Sequence, residues 1–493
     1  MTNLTDLLPA GAGGKQVSFT ADGSISQGNT VVLNSNGTVT AGQSFSDSTG
    51  SAQEVAGTND RNNAVVYHTG EDRVVVFYTD SSNSYAMGRA GSISGKTITW
   101  GTATTIDSTS SMYPVNAIYD SVNNKIVLAY RDEGYSKNYL RLITLSGSTI
   151  SVGTRYEIGS YGTASQIGLS FDPTYNVVVF VCNNSSGYAI AQTFDASNGT
   201  FGTDENLYTT NNVYFFTVNY YSSIDRHIAT FAGTSNQSRY SIVQVTAASG
   251  SPNITITGSG SGATLSSSVG QNNVNYATYY DAENDRLVEL YVNSSSPYQG
   301  KAVAHQFSTS TKTASTSIVN IDGTNPLVSL QGGYNAYAKK GIVIHRNDNS
   351  PYANHWRSVE VDISGDTVTI GSARSIGNDY ISNTPGVAED PDTKQTIFVR
   401  EENSVNDLDA FVVQISYSNV TAADFIGIAD AAISDTASGN ITIKGGIASN
   451  GLSSLTPGST YYVQNDGSLS TTSSDVTAGK ALSATSINLD YSS

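Results

Sequence analysis

The stretch "AIYDSVNNKIVLAY", residues 117–130, decides how the chain folds. Two apolar runs flank a knot of Asp, Asn and Lys. Asp and Asn tolerate left-handed backbone and bond their own main chain, so "DSVNNK" reads as a tight turn. "IVLAY" is almost continuously apolar, which marks a strand buried on both faces. A polar loop, "RDEGYSKN", leads to a third strand, "YLRLITL", and a short "SGS" turn leads to a fourth, "TISVGTRYEI". One unit is therefore an antiparallel meander of four strands.

The unit recurs, as "LSFDPTYNVVVFV" at 169–181, "TYYDAENDRLVELYV" at 278–292 and "VAEDPDTKQTIFV" at 387–399. His68, Asp120, Asp172, Tyr221, Asp281, Ala338 and Glu389 mark similar positions in seven units. Four-stranded units at this spacing are the signature of a β-propeller. The fourth strand repeats too, as "GTATTI", "GTRYEI", "GTDENL" and "GSARSI". The last unit stops after its third strand, "DAFVVQISYS" at 409–418, while "GSAQEV" at 50–55 fits the fourth-strand pattern. The expected fold is all-β: a seven-bladed β-propeller over 50–418, closed by this N-terminal strand so that no sheet edge stays open.

The remaining pieces, 1–49 and 419–493, resemble each other. "ISQGNTVVLNSNGTVT" (25–40) aligns without gaps on "LTPGSTYYVQNDGSLS" (455–470), and Asn36-Gly37 and Asp466-Gly467 are strong hairpin pairs. Both termini are expected to build one small β module, with the propeller inserted between them.

Composition narrows the function. The formal charge of −17, from 41 acidic and 24 basic residues, disfavours contact with phosphate backbones, so no nucleic-acid partner is expected. No apolar run is long enough to span a bilayer, and the N-terminus lacks the pattern of a secretory signal. The single cysteine, Cys182, sits in an apolar run and reads as a buried small side chain.

In a four-stranded propeller, the loops between second and third strands share one end with the inter-blade loops. Here those loops mix Tyr with Ser, Gly and Asn, a recognition composition in which rigid rings supply area and short polar groups supply hydrogen bonds. The candidate ligand-binding residues are Tyr85, Tyr135, Tyr139, Tyr188, Tyr240, Tyr298, Tyr352 and Trp356. The alternative is that each ring simply starts a third strand and packs on its neighbour. Acids in the same loops (Asp132, Glu133, Asp348, Glu401, Glu402, Asp407) read as solvated side chains rather than a hydrolytic pair. A sialidase is disfavoured because the Asp of the box turns is missing and no arginine set is evident at equivalent positions. The five histidines lack zinc-ligand spacing, though His345 and His355 flank one loop. "YDAENDR" and "EDPDTK" read as turns rather than calcium loops, and "GAGGK" as a linker rather than a phosphate loop. No cofactor and no metal are expected.

The terminal segments carry a resemblance, most clearly "GLSSLTPGSTYYVQNDGSLSTT" with "VTAGKALSATSI", within residues 451–487. They resemble modules of tailed-bacteriophage virion proteins of the tail-fibre or structural type. The resemblance implies a non-enzymatic virion protein on the particle surface, with other virion proteins and a host-surface glycan as partners, and a homo-oligomer or symmetric array. Leu4, Leu7 and Leu8 are candidates for a virion-anchoring segment. Two other readings stand beside it: a tail-associated glycan-degrading enzyme, and a purely architectural subunit.

Overall fold

In the computed structural model, residues 15–490 are described except 35, 58–60, 110–111, 135–136, 159–166, 211–212, 234–235, 247–252, 258–261, 271–275, 348–354, 378–384, 392 and 403–406. The chain divides into two compact units, 48–414 and 1–47 with 415–493.

The larger unit is all-β. Its described residues form seven antiparallel sheets, six of them following the chain order of their strands. The second sheet shows the pattern: Met112–Asp120, Lys125–Asp132, Lys137–Ser146 and Thr149–Glu157. The second strand is buried on both sides, from Ile126 to Tyr130 at 0% exposure, as its unbroken apolar run requires. In the seventh sheet, Gly386–Asp390, Gln395–Glu402 and Asp407–Gln414 are joined by strands from the other end of the unit. Ser48–Thr49 and Gln53–Ala56 pair with the third strand, in the register Leu408↔Ala56, Asp409↔Glu54 and Ala410↔Gln53. The first strands of successive sheets pack on one another in series, and Gly386–Asp390 packs on Arg61–His68, the first strand of the first sheet. The approach there is close: a Cβ on Gly386 would lie 2.3 Å from Val65 Cγ2.

One turn is repeated in all seven sheets. The connection from first to second strand is always four residues: 69–72, 121–124, 173–176, 222–225, 282–285, 336–339 and 391–394. Its last residue is always left-handed, namely Asp72, Asn124, Asn176, Asp225, Asp285, Lys339 and Lys394, at φ from +51° to +63°. Asp and Asn suit that conformation and Lys does not. In six sheets the last residue of the first strand fastens the turn with a buried side chain. Asp120 accepts the Val122 and Asn123 N–H groups, and Asp172 those of Thr174 and Tyr175. His68, Asp281, Asn335 and Asp390 accept one N–H each in the same way. This corrects two of the repeat markers. The sixth and seventh positions are Asn335 and Asp390, not Ala338 and Glu389, because the position demands an acceptor aimed back into its own turn.

The fourth strand also differs from expectation. In six sheets it is two pieces, such as Thr97–Trp100 and Thr104–Asp107, both on the same third strand. In most sheets the chain departs from the strand at or just after a Gly, and in five a third-strand side chain bonds a carbonyl exposed there. Arg89 Nε reaches Gly101 O at 2.8 Å, Arg141 Nε reaches Gly153 O at 3.2 Å, and Gln192 Nε2 reaches Gly202 O at 2.6 Å. Arg239 and Arg357 make the corresponding bonds to Gly262 and Ala373. By register, Arg89, Arg141 and Gln192 occupy one equivalent position, whereas Arg239 and Arg357 reach the kink from two residues earlier in their strands, where Ser241 and Val359 hold that position.

The smaller unit contains two five-stranded sheets. One mixes the termini: Gln16–Thr20, Thr30–Leu33, Val39–Ala41, Phe425–Ala429 and Ser438–Ile443. The other uses Ile447–Ala448, Thr460–Val463, Leu469–Ser470, Thr477–Ser483 and Ser486–Leu489. Numbered along the chain within each sheet, both have the spatial order 1-5-4-2-3. The sheets are copies in detail. Gly28 and Gly458 have φ +82° and +84°, and Gly37 and Gly467 have +86° and +80°. Gly427 and Gly479 lie in corresponding strands, at φ +157° and +149°, each with a backbone carbonyl where a Cβ would stand. The larger unit thus interrupts the first copy between its third and fourth strands, and the second copy is the uninterrupted version. Leu4, Leu7 and Leu8 lie outside the described residues.

Candidate binding face

The strands present two unlike ends. At one end, each turn is bonded internally and tied to its neighbour. Thr174 Oγ1 donates to Asp225, Ser223 Oγ to Asp285, and the Ala336 N–H to Glu389 Oε1. An aromatic precedes the fastening residue in six sheets (Tyr67, Tyr119, Phe171, Tyr220, Tyr280, Tyr334), and Glu389 replaces it in the seventh. Tyr119, Tyr220 and Tyr280 donate their hydroxyls to the left-handed Asn124, Asp225 and Asp285, and Tyr67 bonds Asp72. Every polar group with a visible task here is used to hold the scaffold.

At the other end, the connections differ from sheet to sheet, from 234–236 to 158–167. Of the candidate residues there, Tyr298 is exposed at 53%, with a left-handed backbone at φ +52°. Tyr85 and Tyr188 are half-buried. Tyr139, Tyr240 and Trp356 are buried and present no ring to solvent. Tyr139 stacks on Tyr130 at 5.6 Å, and Tyr240 meets Phe307 edge-on at 5.1 Å. Each of these three starts or lies in a third strand, and the core takes its ring, as the packing alternative held. Tyr135 and Tyr352 lie outside the described residues.

The structure adds a polar cluster at this end that sequence reading missed. Asp107, at the end of the first sheet, accepts the Tyr130 hydroxyl at 2.9 Å, Arg141 at 2.9 Å and Arg155 at 3.3 Å, all from the second sheet. Burial pushes its carboxyl up, but the Thr109 N–H, Tyr130 and Arg141 outweigh that and hold it below the usual carboxylate range. The Arg155 side chain stays 41% exposed and its guanidinium lies over the Tyr139 ring, 4.5 Å from the centroid. The spacing signal was there, since Arg89 and Arg141 each stand twelve residues before the kink Gly.

Three histidines belong to buried pairs. Ser170 Oγ, His227 and Asp172 stand in line, with His227 Nδ1 at 3.0 Å from Ser170 Oγ and Nε2 at 3.1 Å from Asp172. All three are at most 4% exposed, so a substrate cannot reach this serine. His305 bonds Glu289 at 3.0 Å and Ser315 at 2.9 Å. His345 faces Asp322 at 3.9 Å, and its burial lowers its pKa to about 4. Asp281 and Asp390, in the two oxygen-rich turns, bond their own turns. No group of three potential metal ligands occurs among the described residues. The smaller unit holds a polar cavity of about 710 Å³, lined among others by Thr421, Asn465, Asp466 and Asp475 and by no aromatic ring.

Comparison with known proteins finds no matching family model and no matching curated protein. Among solved structures, the chain is similar to the Dos1 propeller at 9% identity, over 74% of this chain and 95% of that one, with a TM-score of 0.43. It is similar to the β-propeller domain of the trilobed protease from Pyrococcus furiosus at 8% identity, over 74% and 98%, with a TM-score of 0.42. The SapL1 lectin, solved with α-methyl fucoside, matches at 10% identity over 64% and 97%, with a TM-score of 0.40.

Proposed function

We propose that this chain is a non-enzymatic recognition protein: a seven-bladed propeller, closed by residues 48–56, that binds a surface glycan through its variable loop end and is carried on a duplicated β scaffold. The observation behind this is the contrast between the two ends. The same four-residue turn is used seven times at one end, with its hydrogen bonds spent internally. The other end carries connections of unequal length rich in Tyr, Ser and Asn, with Tyr298 exposed and Arg155 held over a ring. Loops set on a rigid frame are where recognition residues belong. Hydroxyl-rich ligands suit aromatic rings beside short amides and hydroxyls.

The setting follows from the terminal resemblance: a surface-exposed component of a phage virion, assembled with other virion proteins. The insertion of one unit within a copy of the other suits such display, because both ends of the recognition unit are tied to the scaffold. A glycan array probed with the full chain tests the reading. Binding to bacterial surface saccharides that is lost in Tyr298→Ser or Arg155→Ala, and kept in the turn-end variant Tyr119→Phe, is expected. No hit on any saccharide, or loss of binding only with turn-end variants, refutes it.

A further inference from the structure

The two copies in the smaller unit pack head to tail. Val32, Phe425 and Ile428, on one face of the first sheet, share a core with Tyr461, Val463, Ala478, Ala481, Ile487 and Leu489 of the second. In the first copy, the residues equivalent to that second set lie on the opposite face: Val31 aligns with Tyr461, and Ile441 and Ile443 with Ile487 and Leu489. The contact therefore joins unlike faces, and such an interface does not close on itself. It leaves one face of each kind without a sheet partner.

The chain closes one of these faces. In the first copy the hairpin between its last two strands makes an excursion, 430–437, which lays Ile433 over the sheet beside Ile25. The second copy replaces that excursion by a turn at 484–485. The other face stays open. On the second copy it carries Ile447 at 58% exposure and Leu482 at 52%, two of the six exposed large hydrophobic residues among those described. Tyr462 is half-buried on it. Ile447, Asn488, Lys480 and Thr460 stand in one cross-strand row, the equivalent of Gln16, Thr442, Ile428 and Thr30 in the first copy.

We propose that this open face of the second copy docks a five-stranded module of the same kind carried by a different protein. The equivalent face of the first copy is engaged in just this way within the chain. A second copy of this chain does not fit, because its own complementary face lies under residues 430–437. Lys480 stands where the first copy has Ile428, so the partner offers a carboxylate opposite it, which selects one module over others. Ile447 and Leu482 supply the apolar contact at either side.

The full chain supplies the probe. Residues 444–490 are repeated once after Asp490, so that a third module follows the second as directly as the second follows the first. Ile447→Cys serves as reporter, since Cys182 is fully buried. The expected result is that maleimide labelling of Ile447→Cys, fast in the parent chain, slows by about tenfold or more in the three-module chain. Adding Leu482→Asp to the middle module should restore it. Equal labelling of the two chains overturns the proposal, whether the third module folds apart or fails to fold. A parent chain that self-associates, and is made monomeric by Ile447→Asp, also overturns it, because the occupant would then be a second copy.

Discussion

Replacing Glu389 by Gln should stabilise the protein at neutral and alkaline pH and do little in acid. Glu389 occupies the position that holds an aromatic ring in the six other sheets. Its Oε1 accepts the Ala336 N–H at 2.6 Å, and the residue is half-buried. Burial raises its pKa from 4.5 to about 7; the Ala336 bond works against this and Asp390 adds to it. A carboxyl raised on folding favours the folded state while protonated. Its contribution is complete below the unfolded value of 4.5 and is lost as pH rises through about 7. Displacement over that interval, discounted for solvent screening of a half-buried group, corresponds to about 1–2 kcal/mol. The Gln amide keeps an oxygen for the Ala336 N–H and has no charge to bury. Urea unfolding followed by the fluorescence of buried Trp356, from pH 4 to 8.5, measures the difference. The variant should match the wild type at the acid limit, pull ahead between pH 5 and 7, and hold a constant lead above pH 7.5. A difference that does not vary with pH, or a variant less stable at pH 8, refutes the reasoning.

Other outcomes follow from the same structure. His305→Leu leaves Glu289, 0% exposed, without its imidazole and should cost about 3–5 kcal/mol in the urea midpoint analysis. The pair holds the Glu289 carboxyl below its usual range despite burial, so in the wild type its stabilisation is present near neutrality and is lost on acidification, which a pH series of melting temperatures would show. Gly479→Ala puts a Cβ 1.9 Å from Asn488 O and should abolish folding of the second sheet of the smaller unit, seen as rapid proteolysis C-terminal to residue 444. Lys339→Gly relieves a left-handed lysine at φ +54° and gives up only the exposed pair with Glu283, so it should raise the melting temperature, with a gain of about 1 kcal/mol.

The repeat was legible because its second strand is written in one code throughout. Unbroken apolar runs such as "KIVLAY" and "NVVVFV" fix a strand buried on both faces, and Asp or Asn fixes the turn before it. The early strand that completes the seventh sheet was legible for a related reason. "GSAQEV" carries the fourth-strand Gly, and that Gly marks a kink whose carbonyl a third-strand side chain can bond. Position was harder where the code changes letter. The fastening residue is Asp in four sheets and His or Asn in two, while in the remaining sheet Tyr221 stands there and bonds Asp285 O of the next turn, and apolar alignment slid to Ala338 and Glu389. Buried and exposed tyrosines could not be told apart from their neighbours in sequence. Tyr139 and Tyr298 both follow a Ser- and Asn-bearing loop, yet one ring packs on Tyr130 and the other projects from a left-handed residue. The cluster at Asp107 joins residues from two sheets and exists only once those sheets pack. The duplicated terminal sheets were half-visible: the 25–40 and 455–470 match exposed the hairpins, while the second half of the first copy lies hundreds of residues away behind the inserted unit.

Everything rests on the pairing of residues 53–56 with 408–410, and a cross-link tests it directly. Glu54→Cys and Asp409→Cys stand opposite each other in register, within reach of a disulfide across antiparallel strands. Oxidation of the folded double variant should give one intramolecular bond between the two, identified by mass spectrometry. A folded chain in which these cysteines stay free, while Glu54→Cys links to a partner elsewhere in the sequence, would contradict the account.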